Sequence, residues 1–331
     1  MKMYSYDVLP LLIHPQPKPT IRAAEEFDAS ADAAALRAAM RGFGTDEQTI
    51  IDVLCARSNL QRQQISTKYR DEIGRNLLED LKSELSGNLE NVILGLMLPP
   101  TNYQCDNLFK AMDGFGTNER TLIEILCAQS SERLQAIAKL YEELYNRPLV
   151  EHVCSETSGD FRRLLTLLLT TVRDPPASID RDLAEQQAKL LFQAGEGKLG
   201  TEESSFSKIL TKSSFEQLEL LFEEYKKLTQ RAFEQALKDE LSGSYYEGLS
   251  AIVEYVRSPP RFFAKRLYEA MRGLGTDDKT LIRIIVSRSE IDLQNIKEEF
   301  ERMYSKTLAN AVKSETSGDY ERTLCAIIEK S

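Results

Sequence analysis

The chain has 331 residues, 42% hydrophobic and 28% charged, a balance that suits folded cores and excludes a largely disordered polymer. A formal net charge of −10 argues against a nucleic-acid partner, and no run of about 18 uncharged apolar residues is present to span a membrane as a helix. Five cysteines without a Cys-x-x-Cys pair read as free thiols in a reducing compartment rather than as a disulfide framework.

Residues 1–22 are proline-rich and read as a flexible tail. No small-residue cleavage site follows the apolar patch Val8–Ile13, so a secretory leader is not expected. Tyr4, Tyr6 and that patch are candidates for meeting a protein partner or folding back on the core. Beyond the tail, Pro99-Pro100, Pro175-Pro176 and Pro259-Pro260 cut the chain into four segments, 23–98, 99–174, 175–258 and 259–331.

In the first segment, breakers predict five helices over Ser30–Arg41, Asp46–Ala56, Asn59–Tyr69, Asn76–Leu85 and Leu89–Leu98. Thr45 is the expected cap of the second. Asp46 and Glu47 suit the positive end of its dipole, and Gln48 completes a capping box. In the fifth, Leu89, Val92, Ile93, Leu96 and Met97 share one helical face. Phe161, Leu164, Leu165, Leu168, Leu169 and Val172 repeat that face in the second segment, and Leu249, Ile252, Val253 and Val256 in the third.

Each segment also carries a glycine loop. Three read Met40-Arg41-Gly42-Phe43-Gly44-Thr45, Met112-Asp113-Gly114-Phe115-Gly116-Thr117 and Met271-Arg272-Gly273-Leu274-Gly275-Thr276. The third segment has a longer version, Gly195-Glu196-Gly197-Lys198-Leu199-Gly200-Thr201. A glutamate follows the loop threonine by 39 positions in every copy: Glu84, Glu156, Glu240 and Glu315. Each ends a fourth helix, three residues before a glycine suited to stop it.

A carboxylate at a helix C-terminus forgoes roughly 0.3–1 kcal/mol, and a bound cation removes that conflict. About three loop carbonyls and one carboxylate form a hard-oxygen set, which suits calcium. Zinc or copper would want imidazole or thiolate. The only histidines are His14 and His152, and both read as structural or exposed. Calcium takes six to eight oxygens, so about two positions stay open for a lipid phosphate or carboxylate. Four such ions would bring the net charge only from −10 to −2, so docking on an anionic surface must rely on local ion bridges acting together. EF-hand and phosphate-loop patterns are absent, and so are a Gly-x-Ser-x-Gly nucleophile and a dinucleotide loop. An enzyme is therefore not expected.

The spacing Met-Lys/Arg-Gly-x-Gly-Thr, 38 residues, Asp/Glu resembles the calcium signature of the annexin family, and the likeness runs over about residues 21–331. The stretch from Phe27-Asp28 to Asp46-Glu47 is annexin-like as well. The resemblance implies an all-α chain of four repeats with five helices each, arranged as a slightly curved disc. The loops would lie on its membrane side and the tail on the other. It further implies calcium-dependent binding to acidic phospholipids such as phosphatidylserine, self-association on membranes, and a cytoplasmic protein that becomes peripheral to membranes when calcium rises.

Carried over by position, calcium in the first repeat is held by the carbonyls of Met40, Gly42 and Gly44 and the carboxylate of Glu84. The second uses Met112, Gly114, Gly116 and Glu156, the third Gly195, Lys198, Gly200 and Glu240, and the fourth Met271, Gly273, Gly275 and Glu315. Leu199 is placed to dip into the bilayer interface. Asp113 stands where a basic residue is usual and would repel acidic headgroups. Two other readings compete. A helical protein-binding scaffold explains the repeats but not the four glutamates, and a calcium-regulated channel would need polar residues lining a path.

Overall fold

The computed structural model describes residues 15–42, 44–114, 116–176, 179–197, 200–273 and 275–330. The tail features Tyr4, Tyr6, Val8–Ile13 and His14 lie outside the described residues, as do Lys198 and Leu199.

Among the described residues the chain forms twenty α-helices and no strand, five helices to a repeat. The first repeat holds α1 (Ala29–Ala39), α2 (Glu47–Leu54), α3 (Asn59–Lys68), α4 (Leu77–Glu84) and α5 (Gly87–Met97). The second holds α6 (Pro100–Met112), α7 (Glu119–Leu126), α8 (Ser131–Tyr145), α9 (Leu149–Glu156) and α10 (Gly159–Thr170). The third holds α11 (Arg181–Ala194), α12 (Glu203–Lys212), α13 (Phe215–Thr229), α14 (Phe233–Glu240) and α15 (Gly243–Arg257). The fourth holds α16 (Pro259–Met271), α17 (Asp278–Arg288), α18 (Leu293–Tyr304), α19 (Leu308–Glu315) and α20 (Gly318–Glu329).

Local chemistry explains many of the boundaries. Asp28 accepts from the Ser30 and Ala31 amides at the head of α1, and Ser58 with Gln61 forms a full capping box on α3. The third helix of the first repeat runs past its expected end into a π-helical turn, Tyr69–Ile73, which closes at Gly74 with φ of +75°. The glycine after each distal glutamate acts differently from the expectation. Helix α4 stops at Leu85, which is already extended, and Gly87, at φ of +64°, opens the next helix. Gly159, Gly243 and Gly318 do the same at φ of +60°, +61° and +65°.

Two compact units result, one built on Leu108–Pro259 and the other on Pro17–Asn107 with Pro260–Ser331. The second and third repeats therefore share one unit, and the first and fourth share the other. The first repeat's core gathers Leu36, Ile50, Leu54, Ile65, Leu81 and Ile93, all fully buried. Each such side chain contributes about 1.5–3 kcal/mol of transfer free energy. The apolar face of α15 is buried as the spacing predicts, and so is that of α5 except for Leu89, which is half-buried. In the second repeat Val172 departs from that pattern: it lies past the end of α10 and is 58% exposed.

All five cysteines are free, four of them buried and Cys154 half-buried. Burial pushes the Cys55 and Cys105 thiols up to about 12, which keeps them protonated. His152 is buried, and its Nδ1 lies 2.7 Å from the Tyr141 hydroxyl. Burial lowers its pKa, with the Arg147 charge next in weight, so it serves as a neutral core group. No described helix is long and apolar enough to cross a membrane.

Candidate metal centres

Each glycine loop joins the first two helices of its repeat and is closed by one backbone hydrogen bond. The Asp46 amide donates to Ala39 O at 2.9 Å, Asn118 to Ala111 O at 2.8 Å, Glu202 to Ala194 O at 2.7 Å and Asp277 to Ala270 O at 2.8 Å. Between these anchors the glycines take conformations that L side chains avoid. Gly42 and Gly44 have φ of +112° and +92°, and Gly114, Gly116, Gly200, Gly273 and Gly275 behave alike. All seven are exposed, whereas Met40, Met112 and Met271, which begin three of the loops, are buried.

The distal glutamates are brought to the loops by a contact that sequence reading assigned elsewhere. The Thr45 hydroxyl donates to Glu84 Oε2 at 2.8 Å, and Thr201 donates to Glu240 Oε2 at 2.8 Å. Thr117 reaches Glu156 Oε2 at 3.3 Å and its carbonyl at 3.0 Å, and Thr276 reaches Glu315 Oε2 at 3.3 Å. Thr45 therefore does not cap α2. Asp46 does, accepting from the Thr49 amide at 3.0 Å and its hydroxyl at 2.7 Å. Asn118 and Asp277 cap α7 and α17 in the same way. The expected capping box does not form: with Asp46 as the cap, Gln48 is only the second helical residue, and its amide donates forward to Asp52 at 2.8 Å. The signal for the threonine's true partner lay in the sequence: a constant 39-residue interval to a glutamate marks a contact, whereas a cap needs no distant residue.

The third loop begins close to its distal glutamate. Gly195 is buried, and a Cβ there would sit 3.3 Å from Glu240 Cγ. Within the same unit, Glu156 and Glu240 line one polar cleft of about 400 Å³ together with Glu119, Asp160 and Glu203.

Among the described residues no group of three or more His, Cys, Asp or Glu side chains is gathered in metal-binding fashion. A cation at these loops would thus be held mainly by backbone oxygen with one carboxylate. That donor set fits calcium and not zinc or copper.

Comparison with known proteins agrees with this architecture. The annexin family model matches residues 31–96, 103–168, 186–252 and 262–327. The chain is 58% identical over 315 residues to annexin B10 of Drosophila melanogaster, covering 95% of itself and 98% of that protein. It is 49% identical over 309 residues to annexin A7 of Homo sapiens, covering 93% of itself but only 63% of that longer protein. Among solved structures it is similar to a calcium-bound annexin (Sm)1, with a TM-score of 0.83 and 35% identity over 94% of this chain and 93% of the other.

Proposed function

The chain belongs to the annexin family, known for calcium-dependent phospholipid binding, and we propose that its four glycine loops with their distal glutamates are the calcium sites through which it docks on acidic membranes. The observation that carries this reading is the fourfold threonine-to-glutamate hydrogen bond, which holds a carboxylate beside an exposed, positive-φ backbone in every repeat.

In this reading Met40, Gly42 and Gly44 offer carbonyls and Glu84 its carboxylate. Met112, Gly114, Gly116 and Glu156 do so in the second repeat, and Met271, Gly273, Gly275 and Glu315 in the fourth. Gly195, Gly200 and Glu240 serve the third, with the Lys198 carbonyl lying outside the described residues. Bound there, calcium supplies a positive centre with open positions for headgroup oxygen. The residues supply everything else. Glycine at positive φ turns the backbone outward without a side chain in the way, and the buried methionine anchors the loop's first residue. The threonine hydroxyl orients the glutamate by taking one lone pair of one oxygen, leaving three lone-pair directions for an ion. One carboxylate per site makes each site weak in free solution, and several sites engaging one membrane restore affinity by avidity. Binding of this kind involves no bond making or breaking, in keeping with a family whose members are generally not enzymes.

Sedimentation with phosphatidylserine vesicles tests the reading. The parent chain should pellet with calcium and stay in solution with chelator. Glu84→Gln, Glu156→Gln, Glu240→Gln and Glu315→Gln combined should raise the calcium requirement at least about a hundredfold, while each alone shifts it only about two- to threefold. Pelleting by the combined variant at the parent's calcium requirement would refute the assignment.

A further inference from the structure

Each repeat places a basic residue at the start of its fourth helix: Arg75, Arg147, Arg231 and Lys306. In three repeats that residue serves its own neighbourhood. Arg75 forms a bidentate pair with Asp80, Arg147 donates to Ser155 Oγ at 2.8 Å, and Lys306 donates to Ser314 Oγ at 2.9 Å. The third repeat differs. Arg231 pairs with Asp239, next to Glu240 on α14, and also with Glu196, which belongs to the glycine loop itself. Glu196 is further held by the Tyr225 hydroxyl, donating to its Oε2 at 2.7 Å.

These bonds close a circuit around the third loop. Its start is tied through Glu196 and Arg231 to Asp239, and its end through Thr201 to Glu240, so both ends reach consecutive residues of one helix terminus. The Glu196 side chain is only 12% exposed, so it is packed in place and does not wave in solvent. Tyr225 comes from the buried core of α13. Burial, and then the Glu196 carboxylate it faces, raise its phenol above the ordinary value, which keeps the donor proton in place. The circuit has a chemical logic. A seven-residue loop is freer than its six-residue counterparts, and a guanidinium fork shared by two carboxylates restores its register.

We infer that Arg231, bridging Glu196 and Asp239, is a positioning residue that latches the start of the third glycine loop to the helix end carrying Glu240 before any ion arrives, so that Gly195–Gly197 are held in place by the chain's own ion pairs. The inference rests on the reading of that loop as a calcium site. It also takes a side between two opposing effects. Removing Arg231 frees two carboxylates, which by charge alone should draw calcium in more tightly. Removing the latch should weaken binding, because the loop must then be ordered at the ion's expense.

The test uses the full chain and the variants Arg231→Gln and Glu196→Gln, with Arg147→Gln as the control. Without calcium, amide exchange is followed at Gly197, bonded to Phe192 O, and at Glu202, bonded to Ala194 O. Both variants should speed exchange there about tenfold or more, with the Asn118 amide of the second loop unchanged, and the control should leave all three within about twofold. Calcium is then titrated while the amide resonances of Thr201 and Glu240 are recorded, and half-saturation should move several-fold upward in both variants. Unchanged exchange in both variants, or tighter calcium binding by Arg231→Gln, would overturn the latch. Calcium that shifts neither resonance in the parent chain would overturn the site reading and so the latch's link to calcium, while the exchange rates would still report whether the loop is tied.

Discussion

The first and third loops use glycine for two different physical reasons. In the first, Gly42 and Gly44 stand at φ of +112° and +92° with no atom within 4 Å of where a Cβ would point. There the backbone dihedral demands glycine and space is free. In the third, Gly200 repeats the dihedral at +87°, but Gly197 is needed for room, and Gly195 sits tightly against two side chains. A Cβ on Gly197 would lie 2.9 Å from the Phe192 carbonyl oxygen, and one on Gly195 would lie 3.3 Å from Glu240 and Phe206. A short loop is shaped by its own torsions, while a longer one is shaped by what it folds against.

The largest effect that could break this contrast comes from exchanging the glycines. Gly197→Ala should destabilise by about 1–3 kcal/mol, because the contact is with backbone that cannot swing aside. Gly44→Ala should cost about 1–2 kcal/mol from the left-handed torsion. Asparagine separates the causes. Gly44→Asn should recover much of the loss, since asparagine tolerates that region, whereas Gly197→Asn should recover none. Urea unfolding of the four variants reads this directly, and equal rescue at both positions would erase the distinction.

A second contrast concerns α3 and α13. Where the first repeat has Gln63, donating to Met97 O at 2.6 Å, the third has Glu219. Burial pushes the Glu219 carboxyl up to about 7, helped by Glu216 and Glu223 and opposed by Arg257. A folded-state pKa above the unfolded value means that the native state binds the extra proton, so stability falls as pH rises from about 4.5 through 7. Glu219→Gln should therefore stabilise the chain at pH 8 by about 1 kcal/mol, discounted for partial exposure, and the gain should vanish near pH 4. Thermal unfolding at both pH values checks it. A gain that persists at pH 4 would point to packing and not to charge.

The smallest effect lies at the helix that follows each loop. Asp46 caps α2 through the Thr49 amide, while Glu202 takes no first-turn amide of α12 and its Oε1 accepts from the Ser204 and Ser205 hydroxyls, at 3.4 and 3.1 Å. The Thr49 hydroxyl and then its amide hold the Asp46 carboxyl below its ordinary 3.8. The folded value is depressed, so its contribution is present above about pH 3.8 and is lost as pH falls through the lowered value. Asp46→Ala should lower the urea midpoint slightly at pH 7, by less at pH 3, and by more than Glu202→Ala at pH 7. Equal effects from the two substitutions would mean that the Asp46 amide cap adds nothing beyond the hydroxyl contacts that Glu202 makes.

Much of this was legible in the chain, because repetition turns weak signals into strong ones. Breakers and apolar spacing placed the five helices of the first repeat within two residues of their ends. The one long overrun, at Tyr69–Ile73, came from a π-helical turn that ends only at Gly74, and no propensity encodes it. The loops and their glutamates were found by spacing alone, but the threonine was given the wrong task. Helix-start rules are local, and Thr45 and Asp46 are adjacent candidates for one cap. Which of them is free to cap depends on Glu84, far along the chain yet 2.8 Å away in space.

The sequence by itself determined the four-repeat, all-helical plan and the loop-and-glutamate pairs, since these follow from periodicity, breakers and a constant interval. Only the tertiary structure decided which repeats share a unit, that Arg231 reaches into the third loop while Arg147 stays with Ser155, and why Gly197 must lack a side chain. The reason is one of range. Backbone torsions and caps are fixed by near neighbours, whereas crowding and ion-pair choice are fixed by whichever distant residues the packed helices bring alongside.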